Sequence, residues 1–178
     1  EEPKSTSTNK PAPPSLPSVI LMDSKEPQMI YNPELPGTNT DRIRDILQYL
    51  QIKPPIEELV HTNWDQAEIM SQLEPDLIII HHSSFYTTTT SLDPAKRLGS
   101  FLLAMEGKPS KFLIYSRAEA FSNEAGIKQY FEDTYPHLDD QIDVMWVPMG
   151  DPQYCKFWTC SDTKGKLRRK VKSLLGLS

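Results

Sequence analysis

Leu77, Ile78, Ile79 and Ile80 form an unbroken apolar run that ends at once in His81, His82, Ser83, Ser84 and, two residues on, Tyr86. A strand exposed on one face alternates apolar with polar residues, and this run does not. It therefore predicts a strand over 77–81 buried on both faces, as a parallel sheet requires. Residues 18–22 and 111–116 carry shorter apolar runs of the same kind, and 56–61 and 142–147 supply two further strands. Between the strands the apolar period lengthens to that of a helix. Ile43, Ile46, Leu47 and Leu50 stand at helical spacing over 41–50, with Thr40 as N-cap and Pro54 and Pro55 beyond the end. Asn63 and Gln66 are at capping-box spacing ahead of Ala67, Met70 and Leu73. Asp93 and Pro94 open a third helix with Leu98, Phe101, Leu102 and Met105 on its inner face and Gly107 at its end. Ile127, Tyr130 and Phe131 mark a fourth, capped near Ser122, and Leu167, Val171 and Leu174 a last.

Strands alternating with helices predict a mostly parallel sheet covered on both faces and joined by right-handed crossovers. The expected fold class is α/β: a flavodoxin-like, three-layer α/β/α domain with five strands in the order 2-1-3-4-5. A chain of 178 residues, 38% of them hydrophobic, is long enough for one such domain, too short for an eight-unit barrel and without internal repeats. Residues 1–17 are rich in Pro, Ser, Thr and Lys and read as a flexible leader, which leaves 18–178 as the domain. The stretch 25–39, with Tyr31, Asn32, Pro33, Pro36 and Gly37, is long for a plain connection and reads as a packed loop over the first strand.

Charge narrows the partners. Nineteen Lys plus Arg against 24 Asp plus Glu leave a net charge of -5, which gives no global attraction to nucleic acid. No apolar stretch approaches the roughly 20 residues of a membrane-spanning helix, so no span is expected. The basic residues concentrate near the end of the chain, in Lys164, Lys166, Arg168, Arg169, Lys170 and Lys172. On a final helix they form either a solvated outer face or a surface for an anionic partner. Cys155 and Cys160 are the only cysteines, at a spacing that closes a small disulfide loop in an oxidising compartment or stays reduced elsewhere. A polar leader opening on Glu1 rather than Met has the character of a trimmed, exported protein, so the expected location is extracytoplasmic, periplasmic or secreted.

In open α/β sheets, ligands bind at the carboxyl ends of the strands. The residues at that rim are Asp23 and Ser24 after strand one, His81, His82, Ser83 and Ser84 after strand three, Ser116 and Arg117 after strand four, and Gly150 and Asp151 after strand five. Strands one and three are neighbours in the 2-1-3-4-5 order, so Asp23, Ser24, His81, His82 and Ser83 are expected around one crevice. A serine beside a histidine is a nucleophile with its general base, and a carboxylate orients the imidazole. Arg117 presents a fork of donors for a carboxylate or other anion, with Ser116 beside it. Asp23 and Ser24 equally suit a turn that satisfies backbone groups, and His81 equally suits a half-buried strand position. Without a Cys/His cluster or a His-Glu-x-x-His spacing, no metal and no cofactor are expected.

Residues 19–24 followed by 75–84 resemble the first and third blocks of the SGNH, or GDSL-like, hydrolases. That resemblance implies a flavodoxin-like sheet with the nucleophile in a Gly-Asp-Ser turn after the first strand. Asp23 and Ser24 match the last two residues of the turn, while Met22 replaces its glycine. The third block of the family ends in Gly-x-Asn-Asp, whose asparagine serves the oxyanion hole, and His81, His82, Ser83 and Ser84 stand there instead. The last block is Asp-x-x-His. Asp151 matches its aspartate, and Tyr154 occupies the position of its histidine.

The resulting expectation is a serine hydrolase acting on a small polar, ester-type substrate. In it Ser24 attacks, His82 or His81 takes the proton, and Asp151 or Asp23 orients the base; Ser83, Ser84, Ser116 and Arg117 border the ligand. The alternative is a non-catalytic small-ligand or receiver-like interaction module. Phosphoacceptor receivers resemble this chain in alternation and in a hydroxyl residue, here Ser116, after strand four. They also need an acidic cluster, an Asp and a Lys where this chain has Asp23 alone, then His81 and His82, then Met149 and Gly150.

Overall fold

β-Branched and long aliphatic side chains fill the strands, and the backbone of a computed structural model pairs them throughout in parallel. The structure describes residues 16–23, 39–53, 57–60, 74–81, 101–116, 124–148, 150–151 and 153–178. Four strands, β1 (Val19–Asp23), β3 (Leu77–His81), β4 (Lys111–Ser116) and β5 (Ile142–Trp146), make the body of the sheet. A short fifth, β2 (Glu57–Val60), pairs with the outer edge of β1, so the hydrogen-bonded order is β2-β1-β3-β4-β5. Val19 is in register with Leu77, Leu77 with Lys111, and Phe112 with Ile142.

Alternation along these strands divides the core in two. Ile20, Met22, Ile78, Ile80, Phe112, Ile114 and Val144 pack on one face, against the helical residues 101–104 and helix α2 (Glu124–Thr134) with its buried Ile127 and Phe131. Val19, Leu21, Leu77, Ile79, Leu113, Tyr115 and Met145 pack on the other, against α1 (Asn39–Leu47) and α3 (Ser161–Leu175). Both sets are apolar because both faces are covered, which is why β3 shows no alternation in its sequence. Helices on two sides of a parallel sheet agree with a three-layer α/β/α arrangement.

The amino ends of the strands are fastened by polar side chains. Ser18 donates its backbone N–H to Asp76 Oδ2 at 2.7 Å, and the N–H of Asp76 returns to Ser18 Oγ and O. The buried Ser110 hydroxyl donates to Pro75 O at 2.6 Å, and Gln141 Nε2 donates to Lys108 O and Ser110 O. These bonds join the starts of β1, β3, β4 and β5.

Element limits differ from the sequence pattern where side chains are used elsewhere. α1 starts at Asn39, one residue before the expected cap Thr40, and ends at Leu47; Leu50 is held in the following turn by its N–H to Leu47 O. Thr40 is buried within the first turn rather than capping it. α3 stops in a Schellman arrangement: Gly176, at φ 66°, donates to Ser173 O, and Leu177 donates to Lys172 O. The helix expected around Ala67 to Leu73, the start at Asp93, the cap near Ser122, the loop over 25–38 and the leader through residue 15 lie outside the described residues.

Candidate functional site

At the carboxyl edge the register sets Asp23 and His81 one residue past the last paired positions, Met22 and Ile80, on adjacent parallel strands. His81 is half-buried, and its ring stacks on that of Tyr115, with centroids 4.8 Å apart and planes 22° from parallel. Register explains the contact, since His81 is aligned with Tyr115 across β3 and β4. Tyr115 in turn meets Trp158 edge to face at 5.2 Å. Trp158 is buried, and its indole Nε1–H donates to Asn39 Oδ1 at 2.9 Å. An aromatic row thus runs from His81 at the sheet edge through Tyr115 and Trp158 to the first residue of α1.

Trp158 belongs to a short loop that the sequence left undecided. Cys155 and Cys160 are joined in a disulfide with Cα atoms 5.0 Å apart, and a single 3₁₀ turn, Phe157–Thr159, lies between them. Thr159 Oγ1 accepts from Lys156 N–H and donates to Lys156 O, which fastens the turn internally. Gly150 lies against the bond: a Cβ there would stand 2.7 Å from Cys160 Sγ and 2.9 Å from Cys155 O. Its φ of 76° also falls where glycine is favoured.

The other expected site residues fall as follows. Asp151 is exposed, and its Oδ1 accepts the backbone N–H of Gln153 at 2.8 Å while its carbonyl accepts from Tyr154 and Cys155. It therefore shapes the turn that enters the disulfide loop, the structural use of an aspartate two residues before its donor. Ser116 is buried, only 1% exposed, and its carbonyl accepts the N–H of Val147. Strand parity accounts for this: Ser116 shares the face of Phe112 and Ile114. Ser24, His82, Ser83, Ser84 and Arg117 lie outside the described residues. Among the described residues, no group of three His, Cys, Asp or Glu stands together as metal ligands, and no helix is long and apolar enough to cross a membrane.

The basic helix is partly engaged within the fold. Lys166 Nζ bonds Glu124 Oε2 at 2.9 Å, Lys170 Nζ reaches Glu124 and Asp143, and Arg168 Nε donates to Ile46 O. Burial pushes the Glu124 carboxyl up, but the hydrogen bonds and charges of Lys166 and Lys170 outweigh that effect and hold it below the usual Glu value. The sequence pattern does not connect the aromatic row with the disulfide loop. The available signal was Trp158 set midway between the two cysteines, following the expected fifth strand.

The fold defines an α/β protein whose parallel sheet lies between helices. No protein-family model matches the chain, and no curated protein matches it in sequence. Among solved structures it is similar to a family two carbohydrate esterase from Cellvibrio japonicus, with a TM-score of 0.48 and 11% identity over 94% of this chain. The chain spans 64% of that structure's length, and no chemistry follows from the likeness.

Proposed function

We propose that the protein is a hydrolase of small, polar ester-type substrates, with its reactive centre at the carboxyl ends of β1 and β3. The observation that supports this reading is the direct parallel pairing of those strands, which end in Asp23 and His81 and are followed in sequence by Ser24 and His82. In this reading Ser24 Oγ attacks the ester carbonyl while its proton passes to His82 or His81, and Asp23 or Asp151 orients the imidazole. Backbone N–H groups near Ser24 and Ser83 receive the oxyanion, the imidazolium protonates the departing alkoxide, and water then releases the acid. Ser84 and Arg117 border the substrate, Arg117 holding an anionic group. The SGNH-like positions support the same assignment through Asp23 and Ser24, and depart from it at Met22, at His81 to Ser84 and at Tyr154. No cofactor enters. The Cys155–Cys160 bond supports placing the protein outside the cytoplasm.

Two observations favour a second reading, a small-ligand-binding module without turnover. His81 is packed on Tyr115, and Asp151 is committed to a turn, so two of the candidate groups have structural work. A serine-directed fluorophosphonate separates the two. Labelling and short-acyl-ester turnover that vanish in Ser24→Ala and His82→Ala are expected; neither label nor turnover in the wild type overturns the hydrolase and leaves the binding module.

A further inference from the structure

We infer that Trp158 is a positioning residue for the His81 imidazole, acting through Tyr115, and that the Cys155–Cys160 disulfide holds Trp158 in that role. The inference deepens the reading above, on which it rests for the importance of His81.

Three independent features lead to it. The first is the aromatic row itself. Tyr115 touches both His81 and Trp158, at 4.8 and 5.2 Å between centroids, so the ring that stacks on His81 is itself in contact with the indole. Tyr115 is buried and comes from a central strand, so its backbone is anchored by β3 and β5; the direction of its ring depends on what stands behind it. Stacked and edge-to-face contacts of this kind are directional and add about 0.5–1.5 kcal/mol each beyond burial.

The second is the seat of Trp158. Among the described residues the indole has one polar contact, to Asn39 on α1, and is otherwise held by packing. Its backbone belongs to a three-residue 3₁₀ turn, too short to be stable alone. A covalent bond between Cys155 and Cys160 brackets that turn on both sides and removes most of the loop's freedom.

The third is Phe157, whose φ is 45°. For a bulky residue with a Cβ, the left-handed region costs about 1–2 kcal/mol. Such a conformation persists where the surroundings over-determine it. Here the surroundings are the disulfide, the paired Lys156–Thr159 hydrogen bonds and the buried indole one residue later. The next residue, Trp158, is buried with its indole against Tyr115.

The test reads the imidazole directly. The His81 Cε1–H resonance is assigned with His81→Gln and followed in Trp158→Phe, Trp158→Leu and the Cys155→Ser/Cys160→Ser double variant, with the backbone amide spectrum reporting the fold. A ring stacked on Tyr115 gives a shielded resonance. Trp158→Phe, which keeps an aromatic ring behind Tyr115, should leave the resonance close to its wild-type position. Trp158→Leu and the double variant should move it toward that of an exposed imidazole. Wild type in excess dithiothreitol gives the same comparison should Trp158→Leu not fold. There the dithiol supplies two electrons and two protons to the sulfurs, leaving two thiols on the protein and a cyclic disulfide on the reagent. A His81 resonance that stays put in Trp158→Leu, or in fully reduced wild type with an intact amide spectrum, overturns the inference. Fluorophosphonate labelling of the same samples reports separately on the hydrolase reading, so the two fail independently.

Discussion

Lys170 on α3 stands 3.2 Å from Glu124 at the start of α2, and so ties helices on opposite faces of the sheet to each other. The same ammonium lies 3.3 Å from Asp143 Oδ1, which adds the edge strand β5 to the cluster. Because the Glu124 carboxyl is held below its usual value, its folded form binds a proton less readily than its unfolded form. The stability this contributes is present above the ordinary Glu value of about 4.3 and is lost as pH falls through the lower folded value. Glu124→Gln should therefore cost about 1 kcal/mol or less at neutral pH, since the group is partly solvated. Urea titrations of both proteins should show the gap closing in acid.

Two glycines with nearly equal backbone angles separate strain from crowding. Gly107 has φ 77° and open space where a Cβ would go, whereas Gly150 has φ 76° and the disulfide there. Gly107→Ala should lose about 1 kcal/mol, the left-handed penalty alone. Gly150→Ala should lose about 3 kcal/mol, the same penalty plus overpacking. Denaturation midpoints measured side by side give the comparison.

Asn39→Ala removes the acceptor of a buried indole N–H. An unsatisfied buried donor costs about 1–3 kcal/mol. Equilibrium unfolding should show that loss, while Asn39→Asp, which keeps an acceptor oxygen, should recover a part of it.

At the other end of the sheet, Asp76→Ala takes away the acceptor of the Ser18 N–H and hydroxyl. Water reaches this pair, so the loss should be about 1 kcal/mol. Amide exchange in β1 should quicken first at Val19 and Ile20, nearest the broken clasp, with β4 unaffected.

The sheet was legible because its signal is local. An aliphatic run such as Leu77 to Ile80 has one stable home, between two helical layers, and parity then assigns Ile78 and Ile80 to one face and Leu77 and Ile79 to the other. The helix over Ile43, Ile46 and Leu47 was legible by its period, but its first residue was not, because Asn39 is fixed by an indole 119 residues away. Lys166 and Lys170 read as solvated cations for the same reason: Glu124, their partner, is remote in sequence and close only after α2 and α3 have packed.

For the candidate site the linear pattern names strand ends, and packing decides how the described residues there are used. Strand ends named His81 and Ser116, yet only packing shows that His81 leans on Tyr115 and that Ser116 turns into the core. Asp151 looks from sequence like a carboxylate ready to orient a base, and in the fold its Oδ1 receives a backbone N–H two residues ahead. Trp158 carries no motif at all. Its significance comes from a disulfide and a tyrosine that the linear pattern does not connect to it.

The clasp between Ser18 and Asp76 joins residues 58 apart in the chain, and it has a consequence for how the protein is made. β1 leaves the ribosome before β3, the strand that covers its inner edge, has been synthesised. Until then Val19 to Met22 is an aliphatic ribbon with unpaired backbone on that side, and closing so long a loop is entropically slow. Assembly of the middle of the sheet therefore waits on the arrival of β3, and the interval before it is when the nascent chain most needs shielding from its own kind.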